Sequence, residues 1–144
     1  MERIKISLPK NFDFSAIIKI RITDLNYGGH VGNDSFLSLI HEARQQFLNS
    51  FGYTEFNIEN TSLIMADVSI EFKKELNYGD EVKISVAAND FDKYGFDIFY
   101  KLEIINEQNL ILAGKAKTGM ACYDYQNKKL MPLPGKLKDT LSKA

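Results

Sequence analysis

The chain has 144 residues, enough for one domain with a real core and too few for two, so residues 1–144 are expected to form a single unit. Hydrophobic residues at 44% and charged residues at 26% exclude a disordered segment or a fibre, and a net charge of −1 argues against a nucleic-acid binder. The single cysteine, Cys122, can form neither an internal disulfide nor a cysteine-based metal site.

Taken in order, the first element is a strand in which Ile18, Ile20 and Ile22 alternate with Lys19, Arg21 and Thr23. A glycine-rich stretch follows, and then the one long helix, from about Asp34 to Ser50. Its Phe36, Ile40, Ala43 and Phe47 fall in one arc, flanked by Leu37, Leu39 and Leu48. Gly52 is placed to stop it. Alternation returns at Val68–Phe72, at Val82–Val86 and at Phe96–Ile104. A last long strand, about Leu110 to Tyr125, carries the small residues Ala113, Gly114, Ala116, Gly119 and Ala121. Short polar turns at 77–80, 92–95 and 106–109 imply antiparallel neighbours. A terminal helical turn is signalled near Gly135–Ser142.

This order (strand, helix, four strands) predicts an α+β fold, a five-stranded antiparallel sheet wrapped around one long helix. A single helix cannot cover both faces or protect the edges of such a sheet, so a homo-oligomer is expected. The start, Met1–Ile6, has no apolar leader region, and no segment approaches eighteen consecutive apolar residues. A soluble, cytoplasmic protein without membrane insertion is the expectation.

The unusual chemistry is concentrated between Arg21 and Asp34. Gly28, Gly29 and Gly32 permit a tight backbone path that a substrate can approach closely. Such a loop offers N–H groups at the positive end of the helix, able to polarise a carbonyl and stabilise an oxyanion. In known cases such a donor is worth roughly 3–4 kcal/mol. The plain alternative is a glycine-rich turn with no ligand.

Asp24-Leu-Asn-Tyr-Gly-Gly-His-Val-Gly-Asn33, followed by a helix containing His41-Glu-Ala-Arg44, resembles the signature of 4-hydroxybenzoyl-CoA thioesterase-like hotdog proteins. The resemblance extends more loosely through the 77–80 turn and the last strand. It implies the hotdog fold, dimers or tetramers with sites at subunit interfaces, and hydrolysis of acyl-CoA or acyl-carrier-protein thioesters. No cofactor is implied beyond the coenzyme A that forms part of the substrate. Many family members carry their catalytic carboxylate at the position of Asn26, and an amide supplies only hydrogen bonds. In a second family arrangement the acid lies on the helix, and counting from Asn26 makes Glu42 the preferred general base or nucleophile.

The resemblance thus gives Glu42, Asn26 and His30 as catalytic residues and Tyr27, Gly28, Gly29 and Asp34 as substrate contacts. Each has a plainer reading: a solvated carboxylate for Glu42, a loop histidine for His30, a helix cap or dipole complement for Asp34. Arg44 falls in the apolar arc and needs a carboxylate partner, for which Asp24 is available. Cys122 reads as a small core residue. Lys73, Lys74, Lys93, Lys128 and Lys129 either meet coenzyme A phosphates or are solvated. Two other functions fit the residues. An enoyl-thioester hydratase or dehydratase would use Asp24, Asn26 and His30, whereas an acyl-CoA binding module would perform no catalysis.

Overall fold

The computed structural model describes residues 1–142. In chain order it contains β1 (Phe14–Lys19), a 3-10 turn (Ile22–Asp24), α1 (Asn33–Asn49), β2 (Ser62–Phe72) and β3 (Glu81–Asn89). There follow β4 (Gly95–Asn106), β5 (Asn109–Asp124), the two-residue β6 (Lys129–Leu130) and α2 (Gly135–Ser142). The long strands form one antiparallel sheet in the order β1-β3-β4-β5-β2, and β6 pairs with the far end of β5. The five-stranded antiparallel sheet with one long helix is therefore present, with β6 as an addition.

The pairing explains the core. Phe96, Ile98, Tyr100 and Leu102 of β4 stand opposite Met120, Thr118, Ala116 and Gly114 of β5, and these residues are buried. Val82, Ile84 and Val86 of β3 continue the same face towards β1. α1 lays Phe36, Leu39, Ile40, Ala43, Phe47 and Leu48 against it, each buried, whereas Leu37 is only half-buried. Burial of each such large side chain stabilises the fold by about 1.5–3 kcal/mol. Leu137 and Leu141 of α2 are buried in the same core.

Two expectations are corrected. β1 ends at Lys19, before Ile20 and Ile22. The chain departs from the ladder there because the Ile20 N–H donates to Asp80 O and its carbonyl accepts from Gly79, while Ile22 opens the 3-10 turn. More consequentially, the 77–80 turn does not join antiparallel neighbours. β2 pairs with β5 and β3 with β1 and β4, so residues 73–80 cross from one edge of the sheet towards the other. That crossover passes the start of α1, where the Val31 N–H donates to Leu76 O at 2.9 Å.

Among the described residues β2 pairs on one side only, and its Met65, Val68 and Phe72 are exposed although they lie on the helix-facing side of the sheet. No described helix is long and apolar enough to cross a membrane.

Candidate active site

The loop before α1 is built by its own side chains. The buried Asp24 accepts a hydrogen bond from the Arg21 N–H at 2.8 Å and lies 3.5 Å from the Arg21 guanidinium, which closes the 3-10 turn. A bridge between Leu25 and Val31 then pinches the loop, with the Asn26 N–H donating to His30 O. The Asn26 side-chain oxygen accepts from the Gly28 N–H at 2.8 Å, and its backbone carbonyl accepts from Gly29 at 3.1 Å. Gly29 sits at φ +84°, in the left-handed region that a side chain disfavours. Tyr27 is fully exposed on the loop.

Asn26 therefore organises the loop, and the Gly28 and Gly29 N–H groups are already engaged. Of the donors expected at Gly28 to His30 or at the helix start, these two are therefore not free to polarise a substrate carbonyl. Among the described residues, donors without an acceptor remain at the His30 N–H and at the start of the helix. Gly32 and Asn33, at the start of α1, have N–H groups without an acceptor among the described residues, at the positive end of the helix. Gly32 is the N-cap and makes no side-chain cap. Asp34 is exposed in the first turn, where its charge complements the helix dipole instead of capping it.

A cavity of about 480 Å³ opens between this loop, the first turn of α1 and the crossover. Asn26, His30, Gly32 and Asn33 supply its polar side, and Val31, Phe36, Phe72 and Leu76 its apolar side. His30 Nδ1 faces Val31 O at 3.4 Å, which favours a proton on Nδ1 and leaves Nε2 as the acceptor in the neutral ring. Nε2 lies 3.8 Å from Glu75 Oε1. Lys73 and Lys74 stand at the same opening, whereas Lys93, Lys128 and Lys129 do not line it. Phe72, Glu75 and Leu76 had no functional signal in the sequence, because only the crossover brings them to the helix start.

Of the expected site residues, Asn26 and His30 meet at this cavity. Tyr27, Gly28, Gly29, Asp34 and Glu42 do not line it. Glu42 is exposed on α1, where its carboxylate accepts from Gln46 Nε2 at 2.7 Å.

Arg44 is buried, as its place in the apolar arc implies, but its partner is not Asp24. Arg44 Nε donates to Glu55 Oε1 at 2.7 Å, and a terminal nitrogen donates to the Tyr100 hydroxyl at 3.2 Å. Tyr100 lies 2.7 Å from the Thr118 hydroxyl, so its own proton is free to go there. Burial pulls the Arg44 pKa down, but Tyr100 and Glu55 outweigh it and leave the guanidinium above its ordinary value. Burial raises Tyr100, against the pull of Arg44 and Thr118, and keeps it a neutral phenol. Burial also pushes the Cys122 thiol up to about 11, which removes it as a nucleophile.

Residues 20–141 match the model of the thioesterase-like superfamily. A 1,4-dihydroxy-2-naphthoyl-CoA hydrolase from Microcystis aeruginosa is 29% identical over 125 residues, covering 85% of this chain and 88% of that protein. A solved 1,4-dihydroxy-2-naphthoyl-CoA thioesterase from Synechocystis superposes with a TM-score of 0.74 at 23% identity, over 90% of this chain and 94% of its own. A 4-hydroxybenzoyl-CoA thioesterase solved with 4-hydroxybenzoyl-CoA bound gives 0.80 at 13% identity, over 90% and 98%. Both structures share the fold. From the match across most of its length, the chain belongs to the thioesterase-like superfamily and is a thioester hydrolase of the hotdog fold.

Proposed function

We propose that the protein hydrolyses acyl-CoA thioesters with a compact, aromatic acyl group in the cavity between the start of α1 and the crossover. One observation carries this reading: two open N–H groups, the Asn26 amide and the His30 imidazole border one side of a cavity whose other side is apolar. The aromatic acyl group follows the relatives, which act on naphthoyl and benzoyl thioesters.

In this mechanism the thioester carbonyl oxygen accepts from the Gly32 and Asn33 N–H groups, which stabilise the oxyanion as it forms. The Asn26 oxygen is held by Gly28, so its Nδ2 is the end left to donate to substrate. His30 Nε2 takes a proton from the attacking water, with a Glu75 carboxylate oxygen 3.8 Å away. Collapse of the tetrahedral intermediate expels the coenzyme A thiolate, which receives the proton from His30 and leaves a carboxylic acid. Lys73 and Lys74 stand where they can meet the phosphates.

The test is thiol release across a panel of acyl-CoAs and acyl-carrier proteins. Release from aryl-CoAs supports the reading, and thioester binding with no release from any substrate would make the protein a binding module. Loss of enoyl absorbance without thiol would mark a hydratase, but Asp24 is held by Arg21 and is not free to pair with His30 as that chemistry requires.

The working form in this reading is a homodimer, joined through the open edge of β2, in the cytoplasm. The unpaired strand edge and the exposed Met65 and Val68 support it. Sedimentation equilibrium is expected to give at least twice the 16.4 kDa chain mass, and a stable monomer at micromolar concentration would remove the dimer.

A further inference from the structure

Gly114 lies on the helix-facing side of β5, opposite Phe72 of β2 and Leu102 of β4. A Cβ added there would come within 2.7 Å of Phe36 Cζ and 3.2 Å of Glu71 O. The Phe36 ring therefore occupies the space that any side chain at 114 would fill, and it is buried in that place. Across the cavity end, Phe72 meets the same ring edge to face, with centroids 5.0 Å apart and planes at 68°. This geometry is favourable for an aromatic pair. Phe72 itself is 56% exposed, the last residue of β2, and is held on its inner side by Phe36.

These contacts fix the apolar depth of the cavity. Phe36 closes it towards the core under α1, where the apolar interior continues through Leu39, Ile40 and the inner face of the sheet. Phe72 closes it towards the open edge of the sheet. A flat ring can lie against Phe36 and Phe72, whereas a long flexible chain must pass them to extend further.

We propose that the Gly114–Phe36–Phe72 stack is the acyl-selectivity element of this protein, with Phe72 limiting acyl length and Gly114 setting how far Phe36 intrudes. The assignment rests on the thioesterase reading given above. Removing Phe72 opens the sheet-edge end and costs Phe36 one aromatic contact, while Phe36 stays packed over Gly114. Adding a methyl at 114 forces Phe36 into the cavity and narrows it.

The experiment compares benzoyl-CoA, decanoyl-CoA and acetyl-CoA as substrates for wild type, Phe72→Ala and Gly114→Ala. Wild type is expected to prefer benzoyl-CoA over decanoyl-CoA. Phe72→Ala should raise the decanoyl-to-benzoyl ratio of kcat/KM about tenfold or more, the scale at which a few apolar contacts discriminate. Gly114→Ala should lower kcat/KM for benzoyl-CoA while sparing acetyl-CoA. Calorimetric binding of the same thioesters to Phe72→Ala, whose change is at the surface, reads selectivity without turnover or dependence on the packing at 114. An unchanged decanoyl-to-benzoyl ratio in both turnover and binding for Phe72→Ala overturns the proposal. A shifted binding ratio in a protein that releases no thiol keeps the selectivity element and sinks the hydrolase reading instead.

Discussion

His30→Gln is expected to lower kcat for aryl-CoA hydrolysis about 100-fold or more, the usual contribution of a positioned general base. Its melting temperature should stay close to wild type, because the ring is partly exposed and its contacts with Val31 O and Glu75 are long. Glu42→Gln tests the competing assignment in the same assay. Glu42 stands on the solvent face of α1, bonded to Gln46, and does not reach the cavity of its own chain. Within a few-fold of wild-type turnover is therefore expected for this variant. The reverse pattern, with Glu42→Gln inactive and His30→Gln active, would move the base to the helix, acting on thioester held by a neighbouring subunit. Asn26→Asp separates the roles further. It keeps an acceptor for the Gly28 N–H but removes the amide donor, so kcat falls if Asn26 donates to substrate and rises if the site lacks only a carboxylate.

Arg44→Met should be the most damaging single change to stability, at about 3–5 kcal/mol, the cost of leaving a buried charge without its partner. The guanidinium side chain is 6% exposed and that of Glu55 24%, so loss of Arg44 strands a carboxylate that water reaches only in part. The Tyr100 hydroxyl also loses its donor. Urea denaturation of Arg44→Met, Glu55→Gln and the double variant should show strong coupling between the pair. Asp24→Ala combined with Arg44→Met should be additive to within about 0.5 kcal/mol, since Asp24 serves the Arg21 turn instead. Coupling with Asp24 and none with Glu55 would contradict this packing. His41 Nε2 lies 3.4 Å from the same Glu55 oxygen, so Glu55→Gln removes a neighbour from both side chains.

The sequence by itself determined the order of the main elements and the faces that β3, β4 and α1 bury. Alternation along β3 and β4 reports burial directly, because successive side chains in a strand point to opposite faces, and the arc of Phe36, Ile40, Ala43 and Phe47 does the same for α1. It also grouped Asn26 and His30, which do line one cavity, since the loop that carries them folds on local contacts between Asn26, Gly28, Gly29 and His30. It showed that Arg44 needs a carboxylate but not which one. Asp24 is near in the motif, whereas Glu55 arrives only when the chain after α1 turns back and Leu63 N–H bonds to Glu55 O. Strand order likewise lay outside the local pattern. A polar turn at 77–80 reads the same whether it joins neighbours or ends a crossover, and only the pairing of β2 with β5 decides. That pairing sends residues 73–76 past the start of α1 and so brings Phe72, Glu75 and Leu76 to Asn26 and His30. Periodicity encodes which way a side chain faces. What it meets there depends on contacts between distant segments, which only the folded chain makes.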